Sequence, residues 1–275
     1  MKKGFKIWNV LYPIGIYYVI SSLAYYLVEG FFGASDETYM LRQTICSALT
    51  IPFIYKFFRD DRKRREKNQQ FIPDALHGKE LVAGHFQAVA LLAALGISVN
   101  NILAMTPLVE MSEGFSQANA GFFGGKLIFE LAGSCLIIPI AEELLFRGVL
   151  YRRIKLLLSD ETLEKEYELS VVTVPAIVLS ALLFGVVHAN LVQFLYATVL
   201  GLALAFLLEK TGSLSVCIVG HITANLIAVI RQNTGFLAFG YEPGPAGIAL
   251  SAALLVAAAA LLFVMIREFC AKRNS

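Results

Sequence analysis

Eight stretches of this chain are apolar and long enough to be read as membrane crossings, and no other feature restricts its fold as strongly. A hydrocarbon core of about 30 Å takes about 20 consecutive apolar residues as a helix. That ruler marks out residues 5–28, 38–58, 81–105, 121–151, 171–189, 191–208, 214–230 and 246–266. Composition agrees: 57% of the residues are hydrophobic and 16% charged, with a mean hydropathy of +0.66, whereas soluble domains sit near about 45–50% and about 25%. An ordinary soluble globule, a disordered chain and a nucleic-acid-binding polypeptide are thereby excluded. Inside a bilayer every backbone polar group must find a partner within the protein. The expected fold is therefore all-α, a polytopic membrane helix bundle of about eight transmembrane helices, forming a single membrane domain over residues 1–275.

The net charge of +2 says little, but the distribution of charge orients the bundle. Cytoplasmic loops collect Lys and Arg, and here the basic residues fall on one side: Lys2, Lys3 and Lys6; Arg59, Arg62, Lys63, Arg64, Arg65 and Lys67; Arg152, Arg153, Lys155 and Lys165; Lys210; Arg267, Lys272 and Arg273. The opposite loops hold Arg231 and are otherwise acidic, with Arg42 and Lys126 just inside the spans on that side. This predicts a multi-pass cell-membrane protein with both termini cytoplasmic. The first apolar run is too long for the core of a signal peptide, so it is read as an uncleaved span. Cys46, Cys135, Cys217 and Cys270 share no short spacing and read as small buried hydrophobes, not a metal or disulfide framework. Residues 152–170 mix leucines with charges and could lie as an interfacial helix.

An ionisable residue inside a span costs about 2.5–3.5 kcal/mol on insertion scales, so each needs a partner or a purpose. In the fourth span Glu142 and Glu143 are followed by Arg147. On a helix Glu143 and Arg147 are i, i+4 and face each other, while Glu142 is turned about 100° away and has no local counter-ion. Glu142 is thus the group expected to work. Phe184 and His188 share a face of the fifth span, as do His221 and Asn225 in the seventh. Counting about 1.5 Å per residue from the cytoplasmic ends puts Glu142 and His221 at similar depth, with His188 somewhat deeper. Glu130 stands apart, with Lys126 one turn earlier as its simplest partner. Pro139, three residues before Glu142, withdraws an N–H and is expected to free the carbonyl of Cys135.

Were these groups to converge, a desolvated carboxylate could take a proton from water while an imidazole holds that water. An imidazole and an amide N–H suit a tetrahedral oxyanion, so the inventory fits hydrolysis of an amide. The ordered set Glu142-Glu143-x-x-x-Arg147, Phe184-x-x-x-His188 and His221-x-x-x-Asn225, with Phe146-Arg147-Gly148 and Lys210-Thr211-Gly212 around it, resembles the CAAX protease and bacteriocin-processing family of intramembrane endopeptidases, the type II CAAX prenyl endopeptidase or Abi family. The resemblance runs from about Leu131 to Ile230. It implies that Glu142 activates water with His188, that His221 and Asn225 form the oxyanion hole, and that Glu143 and Arg147 support the site. The family carries a metalloprotease label, and a Glu with two His would be enough ligands for zinc; the reading here is that no metal or other cofactor is obligatory. The implied partners are the bilayer and a peptide or lipidated protein, prenylated in eukaryotic members and linked to bacteriocin immunity and peptide processing in bacterial relatives. Two other functions use the same residues: a proton-coupled transporter, against which stands the lack of two related halves, and a non-catalytic immunity protein on the same fold.

Overall fold

The computed structural model describes residues 7–67, 76–159 and 169–274. Lys2, Lys3, Lys6 and Lys165 lie outside the described residues, as does most of the second half of the 152–170 segment expected at the interface. The described residues are helical, with no strand. In chain order the elements are α1 (Trp8–Phe32), α2 (Asp36–Lys67), α3 (Gly78–Ala104), the short α4 (Pro107–Met111) and α5 (Glu113–Phe123), a continuous α6 over 127–158, α7 (Val174–Val186) entered through a wide turn at Leu169–Thr173, α8 (Leu191–Thr211), α9 (Leu214–Thr234), a 3-10 turn at Ala238–Tyr241, and α10 (Pro245–Asn274). Among the described residues, α1, α3, α8, α9 and α10 contain stretches both long and apolar enough to span a bilayer, and 171–186 forms a shorter apolar helix. The chain is thus an all-α polytopic membrane bundle.

Two boundaries differ from the sequence reading. The fourth span, expected from Gly121 onward, is interrupted at Gly124 and Gly125, because α2 begins against these residues. A Cβ on Gly125 would stand 2.9 Å from the Glu37 carbonyl oxygen, and one on Gly124 2.8 Å from the Asp36 side chain. Residues 107–120, read as part of an outer loop, form α4 and most of α5, with the Ser112 hydroxyl capping the latter at Phe115 N (3.2 Å).

α6 runs through the middle and touches α2, α7, α8 and α9, with α1 laid against α2 at the periphery. Because lipid tails are as apolar as leucine, such a bundle is held by close packing and buried hydrogen bonds more than by burial from water. The core around Leu91, Leu145, Leu150 and Leu204 is fully buried. At one end, ion pairs tie the helices together: Arg153 forks onto Asp61 (2.6 and 3.0 Å), Lys155 and the Tyr151 hydroxyl share Glu209 (2.6 and 2.7 Å), and Lys210 meets Glu268 (2.9 Å). At the other end the buried Arg231, placed in a loop by the sequence reading, closes the last turn of α9. It donates to Asn101 (2.6 Å) and to the Leu237 carbonyl (3.1 Å), and stacks on Tyr241.

α7 and α8 join through a turn of Val187, His188, Ala189 and Asn190. Its polar groups are met locally: Asn190 accepts from Gln193 N (2.9 Å) and donates to the His188 carbonyl (3.2 Å). Ala189 sits at φ 57°, a left-handed conformation that costs a non-glycine residue about 1–2 kcal/mol and a β-branched one more. Ala189→Val is accordingly expected to lower stability by at least about 1 kcal/mol, whereas Ala189→Gly is tolerated or mildly stabilising; thermal unfolding in one detergent compares them.

Candidate active site

The site is assembled on α6, whose backbone departs from regular α geometry on both sides of the paired glutamates. Wide π-type turns occupy Gly133–Ile137 and Leu144–Tyr151, flanking Ile138–Glu143. Such turns occur mostly as local bulges and often at functional sites. The first one bears on the carbonyl that Pro139 releases. Ile138 N bonds Gly133 O, one residue further back than in an α-helix. Continued in that register Pro139 would pair with Ser134, and proline has no N–H to give. The wide turn therefore frees the Ser134 carbonyl, and Asn225 Nδ2 of α9 donates to it at 2.7 Å. A tertiary contact between two candidate site helices thus depends on the proline.

Glu143 is the hub. Its Oε1 receives Arg147 Nη1 at 3.0 Å and His221 Nδ1 at 2.8 Å, and neither Glu143 nor Arg147 has any exposed side-chain surface. The i, i+4 pair read from the sequence is present; its link to His221 was not read, because sequence spacing says nothing about the facing helix. Arg147 also donates to the Gly201 carbonyl of α8 (3.2 Å) and lies 4.4 Å from the Phe184 ring centroid. A Cβ on Gly201 would crowd Ala181 Cα (3.1 Å) and the guanidinium (3.3 Å), so glycine eases the close approach of α8 here. Phe184 in turn stands edge-on to Phe146, His188 and His221, at centroid distances of 5.0, 5.2 and 5.7 Å. One aromatic ring therefore spaces both imidazoles and covers the cation.

Glu142 is the more open carboxylate. Its side chain is 17% exposed, and its Oε2 lies 3.7 Å from His221 Nε2, beyond a direct hydrogen bond. An ionised Glu143 can only accept, so the proton of His221 is on Nδ1 and Nε2 is the atom turned toward Glu142. His188 is fixed the same way: Nδ1 meets the Phe184 carbonyl at 2.8 Å, which leaves Nε2 as a lone-pair acceptor in the neutral ring.

Two cavities share this centre. One, of about 390 Å³, is lined by Glu142, Phe146, Val187 and His188 together with residues of α1 and α2. The other, of about 130 Å³, is lined by Glu142, His188, His221 and Asn225 with Phe122, Ile138, Tyr196 and other apolar groups. Glu142 and His188 belong to both, so the depth difference estimated by counting residues does not separate them. Glu130 is a different case: its carboxylate receives Asn233 Nδ2 of α9 (2.9 Å) instead of Lys126, whose backbone begins α6. Tyr17, Tyr18, Tyr25 and Tyr26 of α1, read from the sequence as core or interfacial belt, and Gln43 of α2, not singled out there, are brought to the larger cavity by the fold.

The donor set does not fit a zinc centre. Among the described residues no three His, Cys, Asp or Glu side chains come together as metal ligands. Both imidazoles spend Nδ1 on a hydrogen bond, His221 to Glu143 and His188 to the Phe184 carbonyl, and keep Nε2 for other partners.

Comparison with known proteins adds to this geometry. Over 103 residues the chain is 30% identical to a Bacillus subtilis (strain 168) protein named "Putative membrane peptidase YdiL". That stretch is 36% of this chain and 35% of the relative, so the chain spans about a third of the relative's length. No solved structure matches the chain. Residues 124–227, which contain Glu142, Glu143, Arg147, His188, His221 and Asn225, are similar to the family described as type II CAAX prenyl endopeptidase Rce1-like.

Proposed function

We propose that the protein is an intramembrane endopeptidase that hydrolyses a peptide bond in a membrane-associated substrate through a water activated by Glu142. The observation that carries this reading is the shared lining of both cavities by Glu142 and His188: a base and a hydrogen-bond acceptor border the same space. A water between them gives one hydrogen to Glu142 and directs the other at His188 Nε2, leaving its lone pair for the carbonyl carbon. The proton accepted by Glu142 passes to His221 Nε2, 3.7 Å away, and from this pair to the leaving amine. Asn225 spends one amide hydrogen on Ser134 and retains the second for the oxyanion, beside the protonated His221 ring. Glu143 and Arg147 act as positioning residues by fixing His221.

The family match over 124–227 and the named relative support a protease acting in a membrane. A prenylated CAAX protein or a bacteriocin-type peptide is the substrate class that fits this family, and one-sided placement of basic residues supports cytoplasmic termini. Eight crossings, as read from hydropathy, are part of the same proposal.

The test incubates purified protein with a farnesylated CAAX peptide and with unmodified peptides, products being identified by mass spectrometry. Cleavage that disappears in Glu142→Gln supports the reading; absence of products from folded parent protein with every peptide would count against it. Asn225→Leu is expected to lower kcat by about 10²–10³, the usual effect of one oxyanion donor. It should alter KM much less, and a change confined to KM would remove Asn225 from the oxyanion role.

A further inference from the structure

The larger cavity has a wall that lies outside the segment shared with known proteases. From α1 it takes Tyr17, Tyr18, Ser21, Ser22, Tyr25 and Tyr26, and from α2 it takes Gln43. The α1 residues recur as adjacent pairs four apart, which places them along one side of the helix. At about 1.5 Å per residue they form a strip about 13 Å long. The strip borders the same cavity as Glu142 and His188, and Glu142 is the one carboxylate in the lining, with no Lys or Arg.

We propose that this strip is the subsite for the peptide backbone of the substrate on one side of the scissile bond, selecting an uncharged, extended segment of about four residues. The assignment rests on the proteolytic reading above. At about 3.3 Å per residue, a strand of four residues matches the strip. Hydroxyls and a carboxamide both donate and accept, which is what backbone N–H and C=O groups need where water is scarce. An isoprenoid laid here would leave those groups without partners, and a charged side chain would be desolvated with no counter-ion except, for a cation, Glu142 itself. The apolar part of a substrate is better matched to the membrane or to the smaller, Phe-lined cavity.

A latch crosses the same space. Tyr18 Oη donates to the Val187 carbonyl at 3.3 Å, a long contact from peripheral α1 to the residue before His188. That carbonyl ends α7, where helix acceptors lack intrahelical partners. A substrate N–H replaces Tyr18 there and registers the chain next to His188.

The experiment uses full-length Glu142→Gln protein in detergent and a short peptide of Ala, Val, Ser and Gln containing p-benzoylphenylalanine. The same peptide with a central Lys and with an S-farnesyl cysteine serves for comparison. Irradiation and mass spectrometry are expected to place cross-links of the uncharged peptide within residues 17–26. Ser22→Val and Gln43→Leu should each weaken its binding about five-fold, one hydrogen bond's worth, and the Lys peptide should bind more weakly still. In the active protein the same two substitutions should raise KM for the uncharged peptide. Cross-links confined to the wall around Phe122 and Val229, or binding unaltered by both substitutions, would overturn the subsite. Cross-links on α1 without turnover by the parent would leave the subsite standing and reject proteolysis; turnover with unchanged KM in both variants would do the reverse.

Discussion

Glu142→Gln is expected to slow peptide cleavage by about 10²–10⁴-fold, the contribution of a positioned general base, while stability changes by less than about 1 kcal/mol. The amide matches the carboxylate in size, the side chain is partly open, and its nearest charged-group contact, His221 Nε2, is 3.7 Å away. Nothing in the packing depends on the charge. Single-turnover cleavage followed by mass spectrometry gives the rate, and thermal unfolding of both proteins in one detergent gives the stability. Retention of more than about a tenth of the parent rate would remove Glu142 as the base. Glu143→Gln makes an instructive control, because that carboxylate holds Arg147 and His221 at once. Its loss should damage folding as well as turnover, so the two neighbouring glutamates separate by which property fails.

Arg147→Met is expected to cost about 3–5 kcal/mol, the penalty for leaving one member of a buried pair without its partner. Against a total stability of about 5–15 kcal/mol that is enough to reduce the folded population severely. The guanidinium is fully buried, neutralises Glu143, binds the Gly201 carbonyl and lies against Phe184, so methionine fills the volume without the charge or the donors. Adding Glu143→Leu should recover much of the stability, since a buried ion pair can often be exchanged for apolar groups of similar volume at little cost. Activity should not return, because His221 then has no acceptor on Nδ1. Denaturation midpoints across the four-member cycle check the first part and cleavage rates the second. Additive losses would mean that the two side chains do not act as a pair.

The sequence made the helical membrane class legible because hydrocarbon admits little else, and it revealed the Glu143–Arg147 pair because helical spacing is strictly local. What it could not reveal depends on neighbours. His221 binding to Glu143 joins residues 78 positions apart. The break at Gly124 and Gly125 follows from the approach of α2, which hydropathy does not register. Pro139 pointed to a freed carbonyl in this turn, but the release of Ser134 toward Asn225 depends on the wide turn before it, which shifts the register by one. The tyrosine face of α1 looked like an ordinary interfacial belt until the fold set it beside Glu142.

That register shift also fixes which of two adjacent glutamates does which job. Consecutive residues on a helix differ by about 100° in direction, and the wide turn at Gly133–Ile137 holds one residue more than an α turn would. Winding the same residues as a regular α-helix, with none removed, would rotate everything downstream by about that angle relative to the preceding half of the helix. The carboxylate now locked between Arg147 and His221 would leave its socket, and its neighbour would no longer look into the cavities. The extra residue in α6 is in this sense an address label: it specifies which glutamate is buried as an anchor and which is left open to water.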